Sequence, residues 1–255
     1  MHFGITLSTQ GWMLAVLGAL LVGLNKGGLP GIGNVTVAIF AVVFPSKESV
    51  GILLPVLICA DLVAVTTYRK HADWRHLWRL LPPAAVGVFL GFLLFNRMDN
   101  RQVRVSIGVI LLVLTALHFL RQGWLRRAGT PAGADPLPHT RWYSTLIGLT
   151  CGVTTMLANA AGPIAQMFLL SAGLPKYAFI GTGAWFFLLI NTFKIPFQIA
   201  AGGISVENLQ LSLLLGICSA SAAAVAPRLV KFIPQRLFEI IVWVVIVLSA
   251  VKLIF

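Results

Sequence analysis

The chain has little charge. Only 10% of its 255 residues are Asp, Glu, Lys or Arg, whereas soluble domains carry about 25%. A chain this poor in charge, and 58% hydrophobic, cannot cover itself with a water-facing surface, which excludes an ordinary soluble domain. Acidic residues are the scarcest, seven against nineteen lysines and arginines. The resulting net charge of +12 would suit nucleic acid if the basic residues lined one polar face. They gather instead at the ends of apolar runs, which is how membrane topology is encoded, so no nucleic-acid partner is expected. Cysteine is also sparse. Cys59, Cys151 and Cys218 all lie inside apolar runs. Their odd number and lack of ligand spacing argue against a disulfide framework or a metal site. There is no His-Glu-x-x-His, no Gly-x-Ser-x-Gly elbow and no P-loop lysine. Gly28-x-x-Gly31-x-Gly33 lacks the preceding strand that a nucleotide loop requires. Neither an enzyme nor a cofactor is expected. No basic stretch precedes the first apolar run, so a cleaved signal peptide is not expected either.

What the chain has is long apolar runs, close to the roughly 20 residues that cross a bilayer. They cover about 9–24 and 31–44, then 50–68, 80–95 and 103–120. After a polar linker they resume at 142–158 and 163–172, then 177–201, 206–226 and 237–254. No strand alternation appears. The expected class is an all-α polytopic membrane protein in one integral domain. Residues 1–120 form a first repeat, 121–141 a cytoplasmic linker and 142–255 a second repeat. Pro45-Ser46-Lys47 corresponds to Leu174-Pro175-Lys176, and at that offset of 130 Asp61 falls on Asn191.

Each repeat opens with a run interrupted by glycine, asparagine and proline. The first break is Asn25-Lys26-Gly27-Gly28-Leu29-Pro30-Gly31 and the second Asn159-Ala160-Ala161-Gly162-Pro163. Lipid cannot satisfy the backbone groups of a broken helix, so such breaks must be buried in protein or line a cavity. Paired breaks in corresponding places of two halves point to a transporter binding site. Residues 9–44 as one helix would span about 54 Å, well beyond the hydrocarbon core of about 30 Å, while each piece alone falls short of it. A re-entrant hairpin fits better.

Charge placement tests that model. With re-entrant breaks and three crossings per repeat, one side collects Arg69, Lys70, Arg75, Arg79, Arg121, Arg126, Arg127, Arg141, Lys176, Arg228, Lys231 and Arg236. The other side holds Lys47, Arg97, Arg101, Arg104 and Lys252. If each break instead crossed once, the sides would carry 9 and 8, without the asymmetry that the positive-inside rule expects. Three crossings per repeat invert one repeat relative to the other. The richer side is then cytoplasmic, and both termini lie outside. Trp74, Trp78, Trp124 and Trp142 flank the two richest basic loops, as interfacial aromatics do.

Ionisable residues within the membrane are functional candidates by default, and here they are Lys26, Asp61 and Lys194. Hairpins entering from opposite faces would bring the two breaks together at mid-membrane. The half-helices after Pro30 and Gly162 would aim their N-termini at that point, a setting suited to an anion. Lys26 beside them either strengthens an anion site or snorkels to an interface. Lys194, just before Ile195-Pro196, either meets substrate or serves as a partner for Asp61. Asp61 either pairs with a lysine or carries a coupling proton, or both. Asn25, Asn34, Asn159, Gln166 and Asn191 could donate hydrogen bonds to an oxyanion, or hold helices together. The candidate substrate-binding set is Asn25, Lys26, Gly27, Gly28, Gly31, Asn34, Asn159, Gly162, Gln166, Asn191 and Lys194, with Asp61 for ion coupling. His118, near a span end, reads as interfacial.

The two-halved layout resembles the TauE/SafE sulfite-exporter family of bacterial membrane permeases. So do Gly23-Leu24-Asn25-Lys26-Gly27-Gly28-Leu29-Pro30-Gly31 and its counterpart at Asn159 to Pro163. The resemblance covers essentially the whole chain. It implies movement of sulfite, an organosulfonate or another small sulfur-containing or carboxylate anion across the bacterial cytoplasmic membrane, driven by an ion gradient. The expected partners are a small anionic substrate, the bilayer, and a coupling proton or sodium ion. The rival classes are an anion channel and an intramembrane enzyme; the latter would need a nucleophile–base pair or a metal cluster in the spans, and the sequence offers neither.

Overall fold

The computed structural model describes residues 7–28, 32–127, 141–172 and 174–229, and among them it is helical, with no strand. The helices are α1 (Thr9–Lys26), α2 (Gly33–Val43), α3 (Ser46–Tyr68), α4 (Trp74–Arg97) and α5 (Asn100–Arg127) in the first half. The second half has α6 (Arg141–Ala158), α7 (Gly162–Ser171), α8 (Lys176–Ala200) and α9 (Val206–Leu229). The expected span 237–254 and Gly31 lie outside the described residues. Among the described residues four helices are long and apolar enough to cross a membrane: Ser46–His71 (α3 and the 3₁₀ turn after it), Trp74–Arg97, Tyr177–Ala200 and Val206–Arg228.

Both apolar runs that open a repeat are interrupted where glycine and asparagine cluster. The pieces are unequal, as the apolar runs 142–158 and 163–172 imply but 9–24 and 31–44 do not. α1 and α6 have 18 residues each, about 27 Å of helix, while α2 and α7 have 11 and 10, about 15 Å. A short arm of that length cannot cross the hydrocarbon core alone. Each short arm packs beside its long partner, α2 on α1 and α7 on α6. The breaks need unusual backbone. Gly28 has φ 127° and Asn159 has φ 52°. Asparagine is one of the few residues with a side chain that adopts such a left-handed conformation readily.

Element order repeats across the halves: long arm, short arm, long span, long span. The N-caps agree in detail. Pro45 precedes α3 with φ −52° and ψ 140°, and Pro175 precedes α8 with φ −55° and ψ 150°. Contacts repeat as well. α1 packs on α9, and its counterpart α6 packs on α4, the counterpart of α9. Both crossings run over glycine. A Cβ on Gly152 of α6 would fall on the Ala84 carbonyl of α4, and one on Gly23 of α1 would fall on the Ser219 carbonyl of α9. Small residues of this kind let membrane helices approach backbone to backbone. Helices of one half thus pack largely on helices of the other, and the two breaks face each other inside.

Candidate functional site

The two breaks meet at one small, partly open cavity of about 40 Å³, lined mainly by polar residues. From the first break and α2 it takes Asn25, Lys26, Gly33, Asn34 and Thr36. From α6, the second break and α7 come Thr155, Asn159, Gly162 and Gln166, and α3 and α8 close it with Leu57, Phe187 and Asn191. A second, largely apolar cavity adjoins it and shares Asn25, Lys26, Gln166 and Phe187. That second cavity extends past Gly28 toward the ends of α3 and α8 at Ala64 and Phe179.

Seven of the expected substrate residues therefore line one space: Asn25, Lys26, Asn34, Asn159, Gly162, Gln166 and Asn191. Gly28 lines the adjoining cavity. Gly27 faces elsewhere. A Cβ on it would meet Ala226 and the Ala223 carbonyl of α9, and its own carbonyl accepts a 3.3 Å hydrogen bond from the Tyr68 hydroxyl. Its smallness serves a helix crossing.

The two half-helices present their N-termini at this cavity, through Gly33 with Asn34 and through Gly162. Ile32 caps α2 without a side-chain hydrogen bond, and its carbonyl accepts from the Val35 and Thr36 N–H groups, so the Gly33 and Asn34 N–H groups precede the helix's own hydrogen bonding. Unclaimed N–H groups and the positive end of the helix dipole favour a negative guest. The amide oxygen of Asn25 is buried and has no donor among the described residues.

The three ionisable residues divide into two clusters. In the first, the Lys26 ammonium ends 2.7 Å from Asp61 Oδ1. Asn191 donates from Nδ2 to Asp61 Oδ2 at 2.8 Å, and the Lys26 ammonium also sits 3.9 Å from the Phe187 ring centre, a cation–π contact. Asp61 is fully buried and stands behind Lys26 and Asn191, off the cavity wall. In the second cluster, Lys194 is also fully buried. Its ammonium donates to the Thr155 carbonyl at 2.8 Å, to Thr155 Oγ1 at 3.1 Å and to Asn159 Oδ1. An ammonium has three N–H donors, so this one is saturated. A cation at the last carbonyls of α6 also complements the negative end of that helix. Asn159 passes the connection on, donating from Nδ2 to the Val50 carbonyl of α3 at 2.9 Å. Lys194 thus holds the second break in place, and Asp61 pairs with Lys26 rather than with Lys194.

Thr36, Thr155, Leu57 and Phe187 were not singled out in the sequence, although a helical signal was present. Leu57, Thr155 and Phe187 each stand four residues before Asp61, Asn159 and Asn191, on the same helix face one turn away.

A helical membrane bundle with two interrupted helices converging on a polar-lined cavity has the form of a membrane transporter. The chain belongs to the sulfite exporter TauE/SafE family, whose model matches residues 15–253. No individually curated protein matches it.

Proposed function

We propose that the protein is a secondary active transporter that carries a small oxyanion, sulfite or an organosulfonate, across the bacterial cytoplasmic membrane. The cavity between the breaks is its binding site. One observation carries this reading: two half-helix N-termini, the amide side chains of Asn25, Asn34, Asn159, Gln166 and Asn191, and Lys26 converge on a single space. An anion placed there would accept hydrogen bonds from Asn34, Gln166 and Asn191 and meet the charge of Lys26. Family membership supports a sulfur-containing anion as cargo. The two breaks would be the tips of re-entrant hairpins entering from opposite faces, the halves inverted repeats, and both termini outside. Alternating access would come from one repeat rocking against the other around the fixed site. The repeated helix contacts and matching Pro45 and Pro175 caps favour that symmetry.

The test is counterflow in proteoliposomes loaded with unlabelled sulfite or sulfonate. A transporter exchanges labelled anion with saturation, whereas a channel passes current without saturation or counterflow. Replacing Lys26 by Ala in an Asp61→Asn background, which leaves no orphaned carboxylate, removes a charge-assisted contact worth about 1.5–3 kcal/mol. Flux at low substrate should fall roughly tenfold or more. Unchanged flux would move the site elsewhere.

A further inference from the structure

Lys26 and Asn191 each have two faces. Both line the cavity, and both are bound to Asp61, Lys26 through a 2.7 Å ion pair with Oδ1 and Asn191 through a 2.8 Å hydrogen bond to Oδ2. Asp61 itself is sealed behind them. An anion entering the cavity therefore seeks the two donors that hold the Asp61 carboxylate. Lys194 offers no substitute, because its three N–H groups already go to Thr155 and Asn159. The charged groups acting on Asp61 among the described residues are Lys26 from α1 and Lys194 from α8. Among the described residues α2 has no titratable side chain, and no group of α5, α6 or α9 acts on Asp61. A buried carboxylate that has lost both donors, with a second anion beside it, is strongly disfavoured as an ion.

We infer that the substrate anion and the ionised Asp61 carboxylate compete for Lys26 and Asn191, so that Asp61 binds one proton as the anion binds. The step balances simply. The ion pair between Lys26 and Asp61 opens, one proton from hydronium or buffer in the bulk solution adds to the carboxylate, and the Lys26 ammonium pairs with the anion. Anion and proton are then loaded together and released together, which makes the protein a one-to-one cotransporter of the two. This inference rests on the proposed anion site and adds the physical link by which anion binding drives proton uptake at Asp61.

The experiment is calorimetric titration of the purified wild-type protein with methanesulfonate and with sulfate, both without a titrating group near neutral pH. Runs in buffers of different ionisation enthalpy count the protons exchanged. The expected result is uptake of close to one proton per anion, with Kd rising up to tenfold per pH unit. Asp61→Asn should bind the same anions with no proton uptake and a Kd independent of pH. Wild-type binding without proton uptake, or uptake that persists in Asp61→Asn, would overturn the inference while leaving the proposed function standing. Binding of neither anion would count against the proposed site and against this inference with it. Should Asp61→Asn fail to fold, the proton count and pH slope of the wild-type protein decide alone.

Discussion

Asp61 and Asn191 stand 130 positions apart in the chain and are joined directly, the Asn191 amide donating to the Asp61 carboxylate at 2.8 Å. At the offset that lays one half on the other they are each other's counterparts. On the proposed inverted-repeat symmetry, counterparts that touch lie beside its axis, and this hydrogen bond would sit there. The halves are alike there in shape and unlike in charge. Asp61 is paired with Lys26 from the first break, while on the opposite side Lys194 of α8 reaches back to Asn159 of the second break. In both halves a lysine ties a break to a spanning helix, but the lysine sits on the break in one and on the span in the other.

The Lys26–Asp61 pair is best tested as a cycle. Lys26→Met alone leaves Asp61 buried without its cation, and loss of one partner of a buried pair costs about 3–5 kcal/mol. The double variant Lys26→Met, Asp61→Asn should recover most of that loss, with a coupling term well outside the additivity of independent sites. Thermal unfolding in one detergent measures all four corners. Additive losses would mean that the pair is not formed.

Asn159 should tolerate glycine better than valine. Its φ of 52° costs a β-branched side chain about 1–2 kcal/mol in backbone strain. Glycine keeps the backbone and loses only the bonds to Val50 and Lys194. Asn159→Val should therefore unfold at a clearly lower temperature than Asn159→Gly; equal midpoints would contradict the left-handed turn.

The glycines separate into two kinds. A methyl on Gly152 would fall on the Ala84 carbonyl, whereas one on Gly162 meets nothing within 4 Å. Gly152→Ala should lose about 1–3 kcal/mol by overpacking. Gly162→Ala should stay within about 0.5 kcal/mol of wild type, yet weaken anion binding by occupying the cavity. Thermal stability and a binding titration on each variant check both.

Asp73 predicts a pH effect outside the membrane. Partial burial is the largest influence on its carboxyl and would raise its proton affinity. The His76 backbone N–H and side chain, with a smaller share from the Arg75 N–H, together outweigh it and hold the carboxyl below the ordinary aspartate value. Asp73 also caps α4, accepting from the His76 N–H at 3.1 Å. A lowered carboxyl contributes stability that is present above its unfolded value and lost as pH falls through the folded one. Wild type should therefore be more stable than Asp73→Ala above about pH 4, and the gap should narrow in acid. A gap that widens in acid would contradict the sign.

The helical class and the two breaks were legible because hydropathy and the glycine and asparagine clusters are local signals. So was the coincidence of Lys26 with a break, and the correspondence of Asp61 with Asn191 needed only the repeat offset. The pairing was not legible. Two lysines and one aspartate permit two ion pairs, and the choice depends on how far α1 continues toward Asp61. It runs through Lys26, two residues beyond the apolar run that marks it in sequence. Gly27 was misleading for a related reason: in one dimension a glycine in a break and a glycine under a crossing helix look the same. Thr155 and Phe187 become visible once the helical turn is laid over Asn159 and Asn191.

The central claim concerns where the anion sits. It is tested most directly by a crystal structure with 2-bromoethanesulfonate, the bromine located by its anomalous scattering. The predicted result is a sulfonate group between Asn34, Gly162 and Asn191, within hydrogen-bond reach of the Lys26 ammonium. Ordered bromine elsewhere in the bundle, with these residues untouched, would contradict it.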